Sequence, residues 1–168
     1  MHRLILMRHA EAETAAPSGG DEARPLSAAG RAEAAAMART LAERNLRPDL
    51  ALVSSAARTR DTWERLHEDL GDVEVRHEPG LYNASVGALR RFVEAAEAEA
   101  GCLLVLAHNP GVHLLAVQYL EEAAASPAVL ERLSGGFPPA ACAVFAVDAA
   151  GRPTFEGFLT PREAGVAG

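Results

Sequence analysis

Short unbroken apolar runs alternate along this chain with longer stretches in which apolar positions recur every three or four residues. Leu4–Met7, Leu50–Val53 and Cys102–Ala107 are continuous apolar runs, too short for helices and suited to strands buried on both faces. Val73–Val75 begins a further strand, and Ala141–Val147 and Thr154–Leu159 read as two strands joined by a turn at Ala149-Ala150-Gly151. Between them lie the helical patterns. Ser27 can cap a helix reaching about Leu46, with Ala34, Met37 and Leu41 on one face. A second runs from about Ala56 to Leu70, with Trp63, Leu66 and Leu70 as its core face and Gly71 closing it. Ser85 can cap a third, carrying Leu89, Phe92, Val93 and Ala96 inward until Gly101. Pro110 suits the first turn of a fourth, reaching about Leu120, and a short helical piece fits near 128–133. Residues 11–26 are polar and punctuated by Pro17, Gly19, Gly20 and Pro25, an exposed loop that can rim a cleft.

Strands that alternate with helices predict an α/β fold with helices on both faces of the sheet. At 168 residues, with no internal repeat and no linker-like segment, the chain reads as one domain over 1–162, with 163–168 a frayed tail. In such sheets ligands bind beyond the carboxyl ends of the strands. The first strand ends in Arg8-His9. The second ends in Ser54-Ser55, with Arg58 just inside the next helix. The fourth ends in His108-Asn109. Two histidines and two arginines therefore arrive from three strand ends.

Composition narrows what that set can do. The net charge of −7 argues against nucleic acid or an anionic membrane as partner. No apolar run approaches the length of a membrane span, and the start of the chain has too few apolar residues for a secretory leader. Cys102 and Cys142 each sit in an apolar run, as buried free thiols in a reducing cytoplasm would. All 16 basic residues are Arg, so any cation in the site is a guanidinium. Guanidinium forks recognise phosphate and keep their charge at neutral pH. An imidazole among such cations is held neutral and can attack phosphorus, splitting transfer into two steps through a phosphohistidine. A second imidazole can donate hydrogen bonds to the phosphoryl oxygens. His2, His67, His77 and His113 lack the spacing of a metal site, and Tyr82 fits either the cleft mouth or the core.

Four segments, in order, carry a family resemblance. Met7-Arg8-His9-Ala10-Glu11 resembles the Arg-His-Gly signature of the histidine phosphatase (phosphoglycerate-mutase-like) superfamily. Arg24-Pro25-Leu26-Ser27-Ala28-Ala29-Gly30 resembles the segment that opens its first helix. Ser54 to Thr62 resembles its Ser-x-x-x-Arg-[Ala/Thr]-x-x-Thr segment, and Leu106 to Gly111 its second-histidine segment. The likeness covers most of the chain and is greatest to the short SixA-type phosphohistidine phosphatases.

The resemblance implies a three-layer α/β/α sandwich with a mostly parallel central sheet. It implies His9 as phospho-accepting nucleophile, Arg8 and Arg58 as phosphoryl ligands, His108 as stabiliser of the group in flight and Arg24 as an accessory phosphate contact. No metal or other cofactor is implied. Two departures stand out. Ala10 replaces a glycine, and its methyl would crowd the phosphate if the position needed φ > 0. No glutamate stands where mutase-type relatives carry their general acid; Glu78 and Glu11 are the nearest candidates. A labile phosphorus–nitrogen bond needs less acid help than an alkoxide leaving group does. Phosphohistidine on a protein is accordingly the expected substrate. A small phosphate monoester, such as a sugar phosphate or nucleotide derivative, is the alternative, and a non-catalytic phosphate-binding module a third reading.

Overall fold

In the computed structural model, which describes residues 1–166, six strands form one sheet in the order β3-β2-β4-β1-β5-β6. The strands are β1 Arg3–Arg8, β2 Leu50–Ser54, β3 Glu74–Glu78, β4 Cys102–Ala107, β5 Cys142–Val147 and β6 Pro153–Leu159. Neighbours pair in parallel from β3 through β1, and only β5 runs against the rest. The helices are α1 Ala28–Glu43, α2 Ala57–Leu70, α3 Val86–Ala96, α4 Gly111–Glu122 and α5 Pro127–Ser134.

Alternation along the strands divides the core. Leu4, Leu6, Leu103 and Val105 face a cluster with Leu89 and Val93 of α3, Leu115 of α4 and Leu133 of α5. Ile5, Met7, Leu104 and Leu106 face the opposite cluster, with Met37 and Leu41 of α1 and Trp63 and Leu66 of α2. Helices therefore cover both faces, which is why β4 is apolar throughout and β1 and β2 are apolar except at their ends. The α/β/α sandwich with a mostly parallel sheet is present as expected. Cys102 and Cys142 are free, buried thiols.

Local chemistry sets the boundaries. Ser27 Oγ accepts from Gly30 N at 3.0 Å and Ser85 Oγ from Ala88 N at 3.1 Å, both as N-caps. α1 stops at Glu43, three residues before the expected Leu46, because Asn45 turns left-handed (φ 57°) and Leu46 N returns to Leu41 O. The polar segment after His9 is exposed over 17–23 but not free. It runs out and back along itself, with a bridge at Ala12–Leu26 and Glu13 N donating to Pro25 O at 2.8 Å. A 3-10 turn at Asp21–Ala23 interrupts it. At the chain end, residues 161–165 form turns, and Ala164 packs on the core and donates to Thr160 O. Residues 167 and 168 of the expected tail lie outside the described residues. Among the described residues no helix is long and apolar enough to cross a membrane.

Candidate active site

The parallel register of β1 and β4 pairs Arg8 with Ala107, which sets the next residues, His9 and His108, side by side. Their ring centroids are 5.3 Å apart. β2 lies on the other side of β4, so Ser54 and the first turn of α2 reach the same edge. Arg8, His9, Arg24, Arg58 and His108 all line one cleft of about 310 Å³. The five residues expected at the site are thus brought together. Among the described residues no group of three or more His, Cys, Asp or Glu is placed to hold a metal ion.

His9 is 8% exposed. Its Nδ1 lies 2.7 Å from Ala10 O. A carbonyl only accepts, so Nδ1 carries the proton and Nε2 keeps its lone pair. Burial pushes the ring's pKa down to about 4; the Ala10 carbonyl opposes this, and Arg8, Arg58 and Arg24 add to it. His108 is 6% exposed and falls further, to about 3, through burial first and then His9 and Arg58, with Asp21 opposing. Its Nε2 lies 2.7 Å from Ser54 Oγ, and its buried Nδ1 has no partner among the described residues.

The arginines are held individually. Arg8 Nη1 donates to Phe137 O at 3.1 Å, and the same carbonyl accepts from Asn109 Nδ2 at 3.0 Å. Arg58 is 4% exposed and gives Nη1 to Asp21 O at 2.8 Å and Nη2 to Asp21 Oδ2 at 3.1 Å. Arg24 gives Nε to Asp21 Oδ1 at 2.9 Å and Nη1 to Glu13 O at 2.7 Å. Tyr82 touches the site without being among the lining residues. Its hydroxyl donates to Asp21 Oδ2 at 2.6 Å, and its ring meets His108 edge-on at 5.6 Å.

Ala10 does not have a positive φ. It is fully buried, and its N–H donates to Thr62 Oγ1 at 3.1 Å, so the alanine fits without strain. Of the two acid candidates, Glu11 lines the cleft while its Oε2 accepts from Ser27 Oγ at 2.7 Å; Glu78, at the end of β3, is not among the lining residues. Sequence reasoning did not give Asp21, Asn109 or Phe137 a role in the site. Ser54 and Thr62 marked a matching segment but were assigned no contact. The one local signal for Asp21 was its spacing, three residues before Arg24.

Residues 4–122 match the family model described as the histidine phosphatase superfamily (branch 1). An uncharacterized Mycobacterium tuberculosis protein, Rv1276c, is 32% identical over 142 residues, which is 84% of this chain and 87% of that one. A protein from Agrobacterium tumefaciens, provisionally assigned as the phosphohistidine phosphatase SixA, superposes with a TM-score of 0.84 at 32% identity, covering 95% of this chain and 98% of that one. The protein histidine phosphatase SixA complexed with tungstate superposes at 0.77 with 26% identity, covering 96% and 98%. The strand-end histidines and arginines thus sit on a scaffold shared almost end to end with that group, and this chain belongs to the histidine phosphatase superfamily as a phosphatase of the SixA type.

Proposed function

We propose that this chain hydrolyses phosphohistidine on a partner protein, without a metal, by way of a phosphohistidine formed on its own His9. The observation that carries the reading is the state of that ring. It is neutral, its Nδ1 proton is committed to Ala10 O, and its Nε2 lone pair is left in a cleft lined by three guanidiniums. Nε2 attacks phosphorus in line, and the bond from phosphorus to the substrate imidazole breaks. A leaving ring already protonated on its other nitrogen departs as neutral imidazole, so no strong acid is needed. Water then attacks the phosphoryl group on His9, releasing inorganic phosphate and restoring the ring. Arg8, Arg58 and Arg24 hold the phosphoryl oxygens. Ser54 donating to His108 Nε2 leaves the proton on Nδ1, which donates to the same oxygens as charge spreads over them.

Two features favour a protein-borne substrate over a small ester. The chain between Tyr82 and β4 is occupied by α3 alone, with no further helix inserted there. The solved proteins that match at 32% and 26% identity carry the SixA name. Tungstate, bound by the second of these, is a tetrahedral oxyanion like phosphate. The arginine on β1 is anchored by a carbonyl 129 residues away, which favours one domain over 1–162. The two buried free thiols suit a reducing cytoplasm.

The test is phosphate release from a phosphohistidine-bearing domain in EDTA, with wild type set against His9→Ala. Release by wild type alone is expected, with a base-stable phosphoenzyme trapped on wild type only. If neither protein releases phosphate, the protein-substrate reading fails and small phosphate monoesters are tried next. Failure on those as well, with phosphate still bound, would make the chain a phosphate-binding module.

A further inference from the structure

Asp21 lies outside the segments that match the family signatures, in a loop of low sequence information, yet it touches more of the site than any other carboxylate. Its backbone oxygen accepts from Arg58 Nη1 at 2.8 Å, its Oδ2 from Arg58 Nη2 at 3.1 Å and its Oδ1 from Arg24 Nε at 2.9 Å. Tyr82 donates to Oδ2 at 2.6 Å. One residue therefore ties together two guanidiniums delivered by different parts of the chain, the loop after β1 and the first turn of α2. Asp21 is not itself among the residues lining the cleft, whereas Arg24 and Arg58 are. The carboxylate thus stands beside the guanidiniums and outside the space an incoming anion would fill. The turn that carries it is fixed from both sides. Gly19 supplies a left-handed residue before it (φ 86°), and Glu22 accepts from Ser55 Oγ at 2.8 Å at the end of β2.

Three arginines around one small cleft repel each other when no phosphate is bound. A long side chain such as Arg24, a quarter exposed, gains rotamer entropy by swinging into solvent. A fixed carboxylate offsets both tendencies and presets the forks before substrate arrives, so less ordering remains to be done on binding. We propose that Asp21 is a positioning residue for phosphoryl binding: it holds Arg24 and Arg58 in the geometry in which both face the cleft, with the Tyr82 hydroxyl bracing it. The inference rests on the cleft being the phosphoryl site, as proposed above. It makes Arg24 a phosphoryl ligand only while Asp21 is in place.

The opposite reading of the same contacts is an internal competitor, an anion that occupies the arginines until phosphate displaces it. The two readings predict opposite signs. The experiment is titration of inorganic phosphate into wild type, Asp21→Asn and Asp21→Ala by calorimetry, with KM and kcat measured on the best available substrate. Preorganisation predicts that Asp21→Ala weakens phosphate binding by about tenfold or more, with KM rising in parallel and kcat falling less. Asp21→Asn, which keeps one side-chain oxygen, falls between. Asp21 is half exposed on a three-residue turn, so the melting temperature is expected to stay within about 2 °C of wild type, which separates positioning from a loss of fold. Phosphate bound as tightly or more tightly by both variants overturns the proposal. No phosphate binding by wild type removes the phosphoryl cradle itself, and this inference with it.

Discussion

Two neutral imidazoles buried at the end of the sheet make stability depend on pH in a way that can be worked out in advance. In the unfolded chain each ring titrates near 6.5; folded, His9 is held down to about 4 and His108 to about 3. Between those values the unfolded state binds more protons than the folded state, so stability falls as pH drops below 6.5. The loss continues until the folded pKa is reached. At pH 5 each ring costs about 2 kcal/mol relative to pH 8, from the ratio of its protonation in the two states. Both rings are less than a tenth exposed, so solvent screening does not erase the effect. For a chain of this size about 1 kcal/mol moves the melting temperature by roughly 2–4 °C, so each histidine accounts for about 4–8 °C of the fall between pH 8 and pH 5. The perturbation is His9→Asn, His108→Asn and the double variant, each melted at pH 8, 6.5 and 5. The quantity compared is the change with pH, because the substitutions also alter stability at pH 8. Each single variant should lose about 4–8 °C less than wild type on going to pH 5, and the double variant less again. Equal losses in all four proteins would show that the rings titrate near 6.5 in the folded state, and the account of a desolvated neutral nucleophile would fall with it.

Two further substitutions test how the site is supported. Gly30→Ala should destabilise by about 1–3 kcal/mol or more, because its Cβ would lie 1.9 Å from Glu11 O where α1 packs on the segment after His9; helix propensity alone predicts a gain, so a higher melting temperature would refute the packing argument. Ser54→Ala removes the side-chain partner of His108 Nε2 and should lower kcat about ten- to hundredfold with a smaller change in KM, at a stability cost of about 1–3 kcal/mol; unchanged kcat would mean that His108 needs no such support.

The parts of this molecule that local chemistry decides were legible in its sequence. Met37 and Leu41 are buried on α1 as their spacing requires, Ser27 and Ser85 are caps, and three apolar runs are the inner parallel strands β1, β2 and β4. β3 was legible only at its start, because it is an edge strand whose residues beyond Val75 are polar and partly exposed. The site divides the same way. Arg8, His9, Arg58 and His108 could be placed because strand ends in a parallel sheet meet at one edge, and a residue at a strand end inherits that address. Asp21 has no such address. Composition marks residues 11–26 as exposed loop, but the fold back onto Arg58 depends on pairing between Ala12 and Leu26 and on Ser55, just after β2. The carbonyl that holds Arg8 was hidden for a related reason: a backbone oxygen at residue 137 carries no sequence label at all.

The place of β1 in the sheet also dictates the order in which the enzyme comes into being. β1, which leads into His9, is made before either of its two neighbours, β4 and β5, with Arg3 opposite Cys102 on one side and Ala146 on the other. At about 5–20 residues per second, a ribosome takes roughly five to thirty seconds to deliver those partners. Over that interval the apolar segment Leu4–Met7 has no sheet to join, and a nascent chain offers its edge to other strands or to a chaperone. Arg8 waits too, since Phe137 must emerge before its guanidinium is fixed. Activity therefore arrives only once β4, Phe137 and β5 have all emerged and closed around β1.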